Sequence, residues 1–270
     1  MPALPSIPPA LSMLVGECLY KAPAAWPTPA NILARLRVIT PTPPSAGIQR
    51  LQAASLAESE RQSEHERQNS AARSAEEQRA ALANTAAESL TQISTALRDT
   101  IMAAAPPAKL SGHGTSWTIR LGNAVLSFSG ATRTPPNPWG AWGGDIRGLD
   151  VVAHASLTLR VPVNLTGWEG RSHSLWFCNY ADRTQYAWFE GAFMQNPLMR
   201  KRESSVVPYA FPPGEDAAKA LSNVIAEFQV ARRFERLTLG DLDGFVDRWA
   251  GWFGSGAAGD LHMPDRLPES

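Results

Sequence analysis

The sequence predicts an α+β protein in which an antiparallel sheet of roughly six strands packs with two C-terminal helices and is preceded by a long coiled-coil-like helix. Three observations carry this reading. Residues 48–105 contain neither Gly nor Pro and are dominated by Ala, Glu, Gln and Arg, all strong helix formers apart from scattered Ser and Thr. From Leu149 to Val163 every odd-numbered residue is apolar, while His154, Ser156, Thr158 and Arg160 occupy the other face, which is the period of a half-buried strand. Beyond residue 214 the apolar residues return to helical spacing.

Residues 1–47 form a Pro-rich arm. The prolines of "PALPSIPPA", "APAAWPTPA" and "TPTPP" remove backbone donors, leaving room for short helical turns at "ALSMLVGECLY" and "ANILARLRVI". The long helix follows over residues 48–105, about 85 Å if unbroken at 1.5 Å per residue. Glu58 with Arg61, Glu64 with Arg67 and Glu76 with Arg79 are i,i+3 pairs along it. Its first half has almost no apolar stripe. In its second half Leu82, Leu90, Ile93, Leu97 and Ile101 hold one face, as a coiled-coil seam requires. That stripe serves either self-association or a fold back onto the chain's own domain.

Pro106 and Pro107 stop the helix, Gly112 and Gly114 read as a turn, and composition shifts to Trp, Val and Gly, so an α+β domain is expected over residues 109–262. A hairpin turns at Gly122-Asn123. The loop "TPPNPWGAWGGDIRG" leads to the long strand, and strands near 174–180 and 185–194 are joined by "ADRT". After a basic turn, "MRKRE", the stretch "SVVPYAF" reads as a short strand. Ala217, Leu221, Val224, Ile225, Phe228 and Ala231 then share one helical face, as do Leu242, Phe245, Val246, Trp249, Trp252 and Phe253. Residues 263–270 read as a tail.

Lys and Arg (25) balance Asp and Glu (25), so no global field favours nucleic acid or an anionic membrane. The segments "LMRKRE" and "ARRFER" are basic, but no aromatic-basic RNA-binding motif accompanies them. Two cysteines in unlike contexts, Cys18 and Cys178, fit reduced thiols, and the N-terminal apolar run is too short for a signal peptide or a membrane span. A cytoplasmic protein is expected, with no membrane partner.

No catalytic set, metal-ligand spacing or cofactor fingerprint stands out. His173 and Cys178 lie five residues apart on one strand and face opposite ways. Asp182 sits in the hairpin turn, where Asp serves the backbone. The five histidines show no HxxxH spacing. The positive feature is aromatic enrichment, nine Trp in all. These rings fill a core, or they line a small-ligand pocket in which Trp139, Trp142, Trp176 and Trp188 are joined by His154, Arg183 and Glu190 as polar anchors. The expected function is a non-enzymatic interaction or assembly protein that oligomerises or docks through the long helix while its domain recognises a protein. A small-ligand-binding or sensor domain is the second expectation, and an enzyme without a recognisable motif the third. The hairpin at 173–193 carries large apolar groups on both faces, so each face must be covered or must bind something.

Overall fold

The computed structural model describes residues 8–38, 45–144, 146, 148–196, 206–222 and 227–264. The chain divides into two compact units, Met1–Ala72 and Arg73–Ser270.

In the first unit the expected helical turns are full helices, α1 (Pro9–Cys18) and α2 (Pro29–Val38). Pro9 opens α1, a position whose backbone donor has no helical partner in any case. Leu14 is buried, and the carboxylate of Glu17 accepts two hydrogen bonds from the Arg35 guanidinium, joining α1 to α2. The unit also holds the first half of α3, a continuous helix over Ala46–Ala104. Here Arg61 pairs with Glu58 and Arg67 with Glu64, exposed contacts worth only a few tenths of a kcal/mol each. Arg79, in the second unit, does not take Glu76 as its partner; it reaches Asp150 instead.

The second unit is built on one antiparallel sheet of eight strands. In chain order these are β1 (Lys109–His113), β2 (Ser116–Leu121), β3 (Ala124–Phe128), β4 (Thr132–Arg133), β5 (Val151–Arg160), β6 (Gly170–Asp182), β7 (Gln185–Gln195) and β8 (Phe228–Arg236). The spatial order is β1-β2-β3-β5-β6-β7-β8, with β4 paired to β5. Helix α4 (Glu215–Leu221) lies between β7 and β8 in the chain, and α5 (Asp243–Ala258) follows β8.

Three of the eight strands go beyond those expected, each for a local reason, and one expected strand is not formed over its described residues. The segment read as a turn at Gly112 is strand β1, because the reversal falls at Gly114-Thr115 and Gly112 pairs with Trp117 inside the ladder. Strand β4 is a two-residue addition to β5. Strand β8 replaces the second half of an expected helix. Phe228 and Ala231 fit the helical spacing, but Phe228, Val230 and Phe234 fit a period of two, and the edge of β7 supplies backbone partners for them. Helix α4 therefore stops at Leu221; Val224 and Ile225 lie outside the described residues, as does the basic turn "MRKRE". The stretch "SVVPYAF" contributes bridges at Val206 and Tyr209 rather than a strand over its described residues.

One face of the sheet carries Trp117, Ile119, Leu126, Phe128, Leu157, Leu159, Leu175, Phe177 and Trp188. Against it lies the stripe of α3, with Leu90, Ile93 and Leu97 fully buried and Ile101 nearly so, together with Phe245, Trp249 and Phe253 of α5. The self-association reading of this stripe is thereby corrected: Leu90, Ile93, Leu97 and Ile101, with half-buried Leu82 beside them, belong to the chain's own core. For the same reason the compact unit begins at Arg73 and not near Lys109. Trp117 Nε1 donates to Ser94 Oγ at 2.7 Å, and Trp188 Nε1 to Ala86 O at 3.1 Å and Ser89 Oγ at 3.0 Å, so polar groups fix the helix register as well.

The opposite face of β6 and β7 is covered too. Trp176, Cys178, Phe189 and Phe193 pack with Trp139 and Ile146 of the 134–150 loop, with Ala217 and Ala218 of α4 and with Phe234 of β8. Both faces of the aromatic hairpin are thus structural. Gly170, at the start of β6, has φ +135, and a Cβ there would sit 2.0 Å from Leu159 O. Gly170→Ala is expected to lower the urea midpoint by the equivalent of roughly 1–3 kcal/mol, since both backbone strain and the strand approach oppose a side chain.

Candidate functional site

The most elaborate polar centre lies between β6, β7 and α5. Glu190 falls at a position of β7 that faces the α5 side of the sheet, next to Trp188 and paired across to Leu175. Its carboxylate has no exposure. A buried carboxylate is costly unless its oxygens are hydrogen-bonded and a cation stands near, and both conditions are met. Oε1 accepts from His173 Nδ1 at 2.7 Å and from Trp249 Nε1 at 2.9 Å, while Oε2 accepts from the Arg248 guanidinium. Burial alone would raise the Glu190 pKa, but the His173 and Trp249 donors and the Arg248 charge outweigh it and hold the carboxyl at about 2.

With Glu190 ionised, His173 carries a proton on Nδ1 and directs Nε2 elsewhere. Nε2 is buried and without a hydrogen bond. The imidazole stands edge-on to Trp249 (centroids 5.0 Å apart) and Trp252 (5.4 Å), and the Arg171 guanidinium lies 4.0 Å over the Trp252 ring. A carboxylate that orients a histidine through Nδ1 is a geometry shared with general-base dyads. Here the dyad sits in the core, and what it visibly does is fasten α5 to the sheet.

A second centre joins α3 to the 134–150 loop. Arg79 donates to both oxygens of Asp150 (2.8 and 2.9 Å) and to the carbonyls of Thr134 and Val151 (each 2.9 Å). Tyr186 Oη donates to Asp150 Oδ2 at 2.9 Å, and burial together with that carboxylate pushes the phenol up to about 12. Asn179 completes the knot, accepting from Asp150 N and donating to the carbonyls of Gly148 and Arg183.

The residues expected to line one aromatic pocket are not brought together. Trp188 and Glu190 face α3 and α5, whereas Trp139 and Trp176 are packed on the opposite side of the sheet, 5.8 Å apart between centroids. Trp139 Nε1 donates to Leu149 O and Trp176 Nε1 to Phe211 O, so both indoles are satisfied inside the core. Trp142 is half-buried and bonds Glu215. His154 meets Thr134 Oγ1 at 3.1 Å, and burial lowers its pKa. Arg183 is exposed in the hairpin turn beside Asp182, whose Oδ1 accepts from Thr184 N and Oγ1 as a turn aspartate does. Cys178 faces away from His173, and burial pushes its thiol up to about 12. The partners missed by sequence reasoning are Arg248 and Trp249. Their signal was Glu190 itself, a carboxylate in a core-facing strand position that demanded a buried cation.

Among the described residues, no group of three or more His, Cys, Asp or Glu side chains gathers as a metal site, and no helix is long and apolar enough to cross a membrane. By class this is an α+β protein with a single antiparallel sheet packed with helices and a bonded carboxylate in its core. No protein-family model, curated protein or solved structure matches the chain.

Proposed function

We propose that this is a non-enzymatic interaction protein that assembles with copies of itself through the N-terminal unit. One observation supports the reading above others. Of sixteen large apolar side chains exposed among the described residues, eleven lie between Met13 and Leu56, including Leu33 and Leu36 of α2 and Leu51 and Leu56 of α3. Large apolar side chains left exposed in such number along one stretch of chain are what an association surface would cover. We assign self-association to this earlier stretch because the Leu82–Ile101 stripe is occupied by the core. The domain of the second unit is the part we assign to recognition of a further protein. A cytoplasmic setting fits the two free thiols, exposed Cys18 and buried Cys178.

Sedimentation equilibrium of the full chain tests the assembly. The wild type is expected to associate in a concentration-dependent way, and the quadruple variant Leu33→Ser, Leu36→Ser, Leu51→Ser, Leu56→Ser to be monomeric with an unchanged unfolding transition. A monomeric wild type, or a variant that associates equally well, overturns the reading.

A further inference from the structure

The face of β1, β2, β3 and β5 turned away from α3 and α5 has a composition unlike the rest of the molecule. The register aligns Ser111 with Thr118, Thr118 with Ser127, Ser127 with Thr158, and Thr158 with Ser172, a row of hydroxyls running across five strands. A second hydroxyl group, Ser116, Ser129 and Ser156, lies beside it. Together with Ser111, Thr118, Ser127 and Thr158 of the row they line a depression of about 340 Å³, while the buried Ser172 bonds Thr158 from behind it. Trp117 and Phe128, whose backbones border the depression, turn their rings into the core on the other side.

These hydroxyls bond to one another without exhausting themselves. Thr118 Oγ1 and Ser127 Oγ are 3.1 Å apart, and Ser129 Oγ accepts from Ser156 N at 2.7 Å. Each hydroxyl offers one donor and two acceptor positions, so the row keeps capacity of both kinds. A ligand that matches it is dense in groups that both donate and accept.

Charge selects further. Lys109, Arg120 and Arg160 stand in one row, two residues along the strands from the hydroxyl row and hence on the same face, roughly 7 Å away. Arg160 is paired with Glu169, which leaves Lys109 and Arg120 as the cations of the rim. Residues 100–144 contain no Asp or Glu at all, in a chain whose total charge balances. The face is therefore locally positive.

We infer that the hydroxyl-lined depression on β1, β2, β3 and β5 binds an acidic sugar, a mono- or disaccharide bearing a carboxylate or phosphate. Its hydroxyls meet the Ser and Thr row and its anionic group meets Arg120 and Lys109. The volume admits a ligand of that size. A single-stranded nucleic acid would need aromatic rings on which to stack its bases, and the side chains aimed into the depression are hydroxyls.

The test is titration of the full chain, followed by amide chemical shifts and by calorimetry, with glucuronic acid, glucose 6-phosphate, glucose, inorganic phosphate and a short oligothymidylate. The acidic sugars are expected to saturate, with shifts centred on Thr118, Ser127 and Thr158, and to bind about tenfold more tightly than glucose because of the charge-assisted contact. Thr158→Val is expected to weaken both acidic sugars and glucose about tenfold. Arg120→Gln, at an exposed position that does not threaten folding, is expected to bring the acidic sugars down to the level of glucose and leave glucose unchanged. The proposal is overturned if no sugar saturates, if phosphate alone binds as tightly as glucose 6-phosphate, if the oligonucleotide binds more tightly than the sugars, or if Arg120→Gln changes nothing. None of these outcomes bears on self-association, so the two readings stand or fall separately.

Discussion

A chain shortened to begin at Lys109 is expected to lose its cooperative unfolding transition and its near-ultraviolet aromatic dichroism, whereas one beginning at Arg73 keeps both. The difference lies in what the second half of α3 covers. Leu90, Ile93, Leu97 and Ile101 sit against Phe177, Trp188 and the β2-β3 hairpin with 0–2% exposure. Replacing one such residue by Ala typically costs about 2–5 kcal/mol. Removing all four uncovers the sheet and forfeits an amount comparable to the whole of the roughly 5–15 kcal/mol that holds a domain together. The indoles of Trp117 and Trp188 would lose Ser94, Ser89 and the Ala86 carbonyl as well. A folded, cooperative fragment from Lys109 would refute this account of the core.

Glu190→Ala is expected to destabilise the protein by about 3–5 kcal/mol in urea unfolding, the usual cost of removing one partner from a buried ion pair. The Arg248 charge, the Trp249 indole N–H and His173 Nδ1 would all lose their common acceptor. The same carboxyl makes a pH signature. Its pKa is about 2 in the folded state against an ordinary 4.5, so the folded protein favours the ionised form. A depressed carboxyl contributes its stability in full above about pH 4.5 and loses it as the pH falls toward 2. For a shift of this size the contribution is on the order of 3 kcal/mol. The wild type should therefore lose stability across pH 5 to 2 more steeply than Glu190→Gln, measured by unfolding midpoints at each pH. Parallel profiles would show that Glu190 is not the group responsible.

Much of this fold could be read from residue order because local pattern and final burial agree. Leu149–Val163 alternates, and its odd-numbered residues from Ala153 to Leu159 do face the main core. Its start could not be read so well, since the register shifts between Val151 and Ala153 and turns Val151 toward the opposite cluster. Phe228–Arg236 misled for a different reason: its apolar residues satisfy two periods, and pairing with β7, a partner distant in sequence, decided between them. The stripe from Leu82 to Ile101 was legible as a stripe, but not its partner, because a seam for another copy and a seam for a sheet use the same spacing. The Glu190 centre draws on three separated elements, so only the unpaired carboxylate was visible in sequence. The hydroxyl row is harder still to see, since each strand contributes only one or two unremarkable Ser or Thr residues and the row exists only in the cross-strand register.

The hydrogen bond from Trp188 to the Ala86 carbonyl spans 102 residues of chain. During synthesis at roughly 5–20 residues per second, that interval corresponds to about 5–20 s in which the α3 stripe has been made and the strand that covers it has not. Nascent chains of this protein therefore present Leu90, Ile93, Leu97 and Ile101 to their surroundings long before β7 emerges. Release of a ribosome-stalled chain ending before Gln185 should yield a species captured by holdase chaperones, while a chain stalled after Gly259 should escape them.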